Sequence, residues 1–182
     1  MEVLIRNIRM VDETKDMQGD IYIKDGRIED YGENLHYNCK TIEGNNLVAL
    51  PSFIDMHVHF REPGHTYKED IYTGSKAALR GGYTLVNLMG NTDPICSNMD
   101  IVNYVLDRSA ELDLIDIHQT VSITENFDGK TLKHLDGLDD RVKFISDDGK
   151  GVQSNYIMYK AMIKADELDL IIIAHEEDAE IV

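Results

Sequence analysis

His57 and His59 stand one residue apart at the end of an apolar run, with Arg61 two residues further on. Side chains alternate along a strand, so two histidines at this spacing share a face and can grip one metal ion together. On its own such a pair more often marks plain surface histidines, and histidines satisfied by backbone carbonyls at a strand end are a further alternative. Asp148 and His175 change the balance, because each follows another apolar run in the same manner. Neutral imidazoles with a carboxylate able to bridge two ions suit zinc or a similar divalent metal. Such a centre lowers the pKa of bound water from about 15.7 to about 7.

Asp147 and Asp148 are adjacent and should point to opposite sides of their strand, so only one reaches the centre. Residue type does not choose between them, and a loop using both to cap the next helix is an alternative. Glu176, Glu177 and Asp178 read most simply as the acidic first turn of a helix. If extension continues past His59, Arg61 lies on the metal face, where a guanidinium can clamp a substrate carboxylate bidentately. The competing use is a surface ion pair with Glu62 or Glu69, worth little stability. Asn91 offers a further donor, whereas His36, His65, His118 and His134 are left without a role.

The elements that must position these groups change character near residue 50. Residues 1–50 alternate short β-like runs (3–6, 20–24, 27–28 and 47–50) with turns, and Asp25-Gly26 is a hairpin signal. Pro51 is a hinge between this β module and a different architecture over residues 51–182. There, strands are predicted to end at His59 and to cover 83–89, 115–123, 141–145 and 168–174. Helices are predicted over about 69–80, stopping at Gly81-Gly82, after an Asn98 cap, briefly near 131–135, and after a Ser154 cap to about 164. Strands apolar on both faces and alternating with helices imply a parallel sheet, in a barrel or doubly wound. The polar residues gather at the carboxyl ends of strands and no glycine-rich phosphate loop follows the first, which favours an α/β TIM barrel.

The whole chain bounds the partners. Its 182 residues are 42% hydrophobic, enough for a sizeable core, and 34 acidic against 18 basic residues give a formal charge of -16. That balance argues against nucleic acid or an anionic membrane surface, and an anionic small-molecule substrate needs a local cation such as Arg61. Two distant cysteines, Cys39 and Cys96, indicate neither a disulfide framework nor a thiolate metal site. With no signal-peptide pattern and no long apolar run, the expectation is a cytoplasmic protein.

Four segments together resemble bacterial dihydroorotases of the amidohydrolase superfamily: residues 51–64, residues 81–84 leading to 89–92, residues 144–149, and residues 174–178. The likeness spans the whole chain, because the 23–28 hairpin is similar to that of the family's opening β-sandwich module. It implies a metal-dependent (β/α)8 TIM barrel and the zinc-dependent, reversible conversion of L-dihydroorotate to N-carbamoyl-L-aspartate in pyrimidine synthesis. By resemblance His57 and His59 become ligands of a first zinc, His175 of a second, and Asp148, rather than Asp147, the bridge. Arg61 and Asn91 become the holders of the substrate carboxylate.

Two departures from the pattern carry expectations of their own. Gly90 stands where the family usually has proline before the asparagine, which would loosen the loop holding Asn91. The family's further metal histidine, its catalytic aspartate and the remaining strands fall beyond Val182, and a full barrel takes about 250 residues. The chain is therefore expected to be a fragment with exposed sheet edges, with a half-barrel completed by homodimerisation as the other arrangement. Rival readings are an allantoinase or hydantoinase, which bridge with a carboxylated lysine and lack an arginine at position 61, and a non-catalytic partner of aspartate carbamoyltransferase, which would have lost ligands.

Overall fold

The computed structural model describes residues 1–181, which fall into two compact units, residues 1–52 and 53–181. In the first, β1 (Glu2–Val11) is central: it pairs antiparallel with β2 (Asp16–Lys24), which pairs antiparallel with β3 (Arg27–Gly32). Asp25 and Gly26 both take positive φ, 48° and 79°, the two-residue turn whose twist matches a hairpin. On its other edge β1 pairs in parallel with β4 (Lys40–Glu43) and β5 (Val48–Ala49). Strand β4 is absent from the sequence expectations because all four of its residues are exposed, leaving no apolar alternation to detect.

A bulge interrupts β1 between Ile5 and Ile8, where Asn7 adopts a φ of 54°. The Asn7 amide donates to Asp20 Oδ1 at 3.0 Å and the Leu35 amide to Asp20 Oδ2 at 3.0 Å. Asp20 is thus a buried carboxylate whose oxygens replace ladder partners lost at the bulge. Around it Leu4, Ile8 and Ile21 are buried, and the Tyr22 ring stacks on Tyr37 with centroids 3.6 Å apart.

The second unit alternates strand and helix: β6 (Phe53–Val58), α1 (Ile71–Arg80), β7 (Tyr83–Leu88), α2 (Met99–Leu112), β8 (Asp116–Gln119), β9 (Phe144–Ile145), α3 (Asn155–Glu167) and β10 (Ile171–Ile172). Strands β6, β7 and β8 form one parallel sheet and β9 and β10 another, with a parallel bridge from Val121 to Ile145 between the two. Each helix starts on a side chain that takes free amides. Asp70 and Thr73 form a capping box, Asn98 accepts from Asp100 and Ile101, and Ser154 accepts from Ile157. Helix α1 ends at Gly81, and it is Gly82, at φ 85°, that makes the left-handed exit.

The last three strands are shorter than their apolar runs suggest. Leu168 caps α3 and Asp169 turns left-handed, so only Ile171 and Ile172 of the 168–174 run reach the ladder. Val142 is buried within a turn on Asp139, which confines β9 to Phe144 and Ile145. The predicted helix near 131–135 is a 3-10 turn over Lys133–Gly137. Two apolar clusters hold the unit, one with Val86, Leu88, Val105 and Ile117, the other with Val102, Val121, Ile123 and Ile145.

Candidate metal centre

Strand β6 carries His57 and ends one residue before His59. Its register against β7 shifts between Asp55 and Val58, and the rings of His57 and His59 meet edge to face with centroids 5.2 Å apart. One donor atom from each of His57, His59 and Asp148 lies within 4.8 Å of the others. His57 Nε2 is 3.4 Å from Asp148 Oδ1, His59 Nε2 is 3.5 Å from Oδ2, and His175 Nδ1 is 3.3 Å from Oδ1. These separations exceed a good N–H to O hydrogen bond. Each matches a pair of donors sharing a tetrahedral ion, which stand roughly 3.3 Å apart when each bond is about 2.0–2.1 Å, and His175 lies outside the three-residue group. The donor set therefore fits a divalent metal such as zinc.

The two adjacent aspartates diverge. Asp147 is 1% exposed and turned away, accepting from the Thr124 amide at 3.0 Å and hydroxyl at 2.6 Å, and burial raises its carboxyl above the usual range. Asp148 faces the histidines and accepts from Asn91 Nδ2 at 3.0 Å. Burial also pushes the His59 imidazole below its ordinary pKa, outweighing its hydrogen bond to Asn91, and so favours the neutral ring that binds metal. His175 is raised, chiefly because Nε2 lies 2.7 Å from Glu177 Oε2. Residues 176–178 are not helical, contrary to the sequence expectation, and Glu177 turns back onto the histidine instead.

Arg61 reaches the site by a different route from simple alternation. Phe60 is buried against Gly74 of α1, where a Cβ would come within 2.5 Å of its ring, and the chain then turns left-handed at Arg61 with φ 61°. Extension ends there because the phenyl ring is claimed by the core. The guanidinium nevertheless extends to Asn91 Oδ1 at 3.4 Å. Neither predicted ion pair forms: Glu62 accepts from the Ile71 amide at 2.8 Å and the Tyr104 hydroxyl at 2.6 Å, and Glu69 bonds Thr73. Gly64, at φ 93°, lies so close to Asp93 that a Cβ would sit 2.1 Å from its carbonyl oxygen, which fixes the Arg61 loop against the Asn91 loop.

Asn91 itself is held at three points, taking His59 Nδ1 at 2.9 Å and Arg61 on its oxygen and reaching Asp148 with its nitrogen. Gly90 does not leave this loop slack: its carbonyl accepts from Thr92 and Cys96 at 3.0 Å each, and a Cβ there would stand 3.0 Å from Thr120 O. Away from the centre, His134 bonds the Ser122 carbonyl, His118 packs on Phe144 and His65 on Tyr67. Glu62, Thr124 and Glu177 are the contributors that sequence reasoning missed. Their acids and hydroxyl sit in loops where such residues are ordinary.

The model of the dihydro-orotase-like family matches residues 46–182. The chain belongs to the dihydroorotase-like family. It is 52% identical over 183 residues to a dihydroorotase of Clostridium botulinum (strain Eklund 17B / Type B), covering 99% of this chain and 46% of that protein. A dihydroorotase of Clostridioides difficile (strain 630) is 41% identical over 186 residues, covering 99% and 44%. The chain thus spans about half the length of the curated relatives it matches. Among solved structures, L-hydantoinase from Arthrobacter aurescens superposes with a TM-score of 0.77 at 17% identity, over 98% of this chain and 41% of that one. A D-hydantoinase from Thermus sp. gives 0.69 at 27% identity, over 98% and 41%. Among its described residues no helix is long and apolar enough to cross a membrane.

Proposed function

We propose that this chain supplies the amino-terminal, metal-binding part of a dihydroorotase, which opens the cyclic amide of L-dihydroorotate to N-carbamoyl-L-aspartate, reversibly, in pyrimidine synthesis. The observation that carries the reading is the convergence of His57, His59 and His175 on the single buried carboxylate of Asp148. His57 and His59 would hold one zinc, His175 a second, with Asp148 between them, at the mouth of a TIM barrel to which the five parallel strands contribute. The strands of residues 1–52 would form part of a β-sandwich. When bound, zinc polarises an amide carbonyl and lowers the pKa of bound water to about 7.

The chain's own residues do the rest. Arg61 keeps most of its five donors free after its contact with Asn91, and it would take the substrate carboxylate bidentately. Asn91 has one amide hydrogen left for the same group. Orienting the ring in this way would bring its amide toward His57, His59 and Asp148 and would replace part of the entropy cost of the encounter.

The hydantoinases found among the structural neighbours give the second reading, a hydrolase of neutral cyclic amides. Asp148 in the position of the bridge and Arg61 beside it support the acidic substrate instead. The test combines the chain with a complementary carboxyl-terminal half and zinc, and follows loss of dihydroorotate absorbance alongside hydantoin opening. Dihydroorotate turnover abolished by Asp148→Ala is expected. Hydantoin opening without dihydroorotate turnover would replace the proposal with the second reading.

A further inference from the structure

Asn91 and Glu177 each occupy the ring nitrogen of a histidine that faces away from Asp148. The orientation of the Asn91 amide is fixed by its neighbours. With Oδ1 receiving Arg61 and Nδ2 meeting the Asp148 carboxylate, a flipped amide would set its NH2 against a guanidinium and its oxygen against a carboxylate. Oδ1 can only accept, so His59 Nδ1, 2.9 Å away, must carry the ring proton. An ionised Glu177 likewise only accepts, so the proton of His175 sits on Nε2, 2.7 Å from Oε2. In their neutral forms the two rings are thus held in opposite tautomers. His59 turns a bare Nε2, and His175 a bare Nδ1, toward the same carboxylate at 3.5 and 3.3 Å.

A lone pair aimed at a carboxylate is unfavourable unless a cation lies between them, so the outer contacts make sense as preparation for an ion. Resting on the metal-site reading above, we infer that Asn91 and Glu177 are positioning residues that set the tautomers of His59 and His175, and through them the affinity for a divalent ion. Asn91 is therefore more than a substrate contact. It ties together His59, Asp148 and Arg61, so occupancy of the metal and placement of the substrate clamp share one side chain. Among the described residues no side chain takes the second ring nitrogen of His57, which makes that ring an internal reference.

The test uses the chain labelled with 15N in its histidine rings. Two-bond 15N–1H spectra of the metal-free protein read the tautomers, and zinc affinity is measured by competition with a chromophoric chelator. Read at a pH high enough for both rings to be neutral, His59 should show the Nδ1–H form and His175 the Nε2–H form. Asn91→Ala and Glu177→Ala should release the corresponding tautomer, leave His57 unchanged, and weaken zinc by about 10–100-fold. Glu177→Gln retains an acceptor and should keep the His175 tautomer, with less than about a tenfold loss. Unchanged tautomers and unchanged zinc affinity in both alanine variants would overturn the inference while leaving the metal site standing. Failure of the unsubstituted chain to bind zinc would sink the metal-site reading instead, and the tautomers, read without metal, would still judge this one.

Discussion

Each unit buries a carboxylate, and the two are satisfied in opposite ways. Asp20 in the β unit is 5% exposed and accepts from two backbone amides at 3.0 Å each, closing a gap in the strand ladder. Asp148 in the α/β unit is 7% exposed, and among the described residues it accepts from Asn91 and has three histidine nitrogens at 3.3 to 3.5 Å. Asp147, next in sequence to Asp148, resembles Asp20, with both oxygens taken by Thr124. Burial therefore does not distinguish a structural acid from a candidate ligand. What distinguishes them is whether fixed donors already complete the oxygens, because an incompletely paired buried charge is costly unless a cation completes it.

The contrast can be broken most directly at Asp148. Asp148→Ala should weaken zinc by more than about 100-fold, beyond the usual outer-contact effect, with far-ultraviolet dichroism unchanged; retained zinc on equilibrium dialysis would erase the distinction. Asp20→Ala should do the reverse. It leaves the amides of Asn7 and Leu35 without partners, for a loss of about 2–4 kcal/mol in urea unfolding and no change in zinc affinity. Asn98→Ala removes the cap of α2 and should cost about 1 kcal/mol in the same unfolding measurement, showing what an ordinary polar contact in the α/β unit is worth.

The smallest effect uses the cysteines, one in each unit. Burial pushes the Cys96 thiol up to about 12, whereas Cys39 is half-buried. A thiol reagent at neutral pH should label Cys39 first, and Cys96 only as the α/β unit opens. Equal labelling of the two in native buffer would show that the core around Cys96 is not closed as described.

Periodicity made most elements legible. The helix after Asn98, the helix after Ser154 and the turn at Asp25-Gly26 follow from local rules, because caps and positive-φ turns are satisfied within a few residues. Strand lengths were not, since a ladder ends where side chains such as Val142 are drawn into a neighbouring core, and sequence carries no record of that competition. For the same reason the turn at Arg61 was invisible: Phe60 is claimed by α1, a partner some fourteen residues away at Gly74.

The sequence by itself determined the chemistry of the candidate centre, because ligand type and the i, i+2 spacing of His57 and His59 are local properties of one strand. It also carried the family likeness through its four segments. Strand alternation left Asp147 and Asp148 open and the family motif favoured Asp148, which the tertiary structure turns toward the histidines; only that structure decided that Glu177 folds back onto His175 and that Asn91 joins three groups at once. Those contacts span up to 91 residues of chain, from His57 to Asp148, and they exist because parallel strands bring their carboxyl ends to one edge.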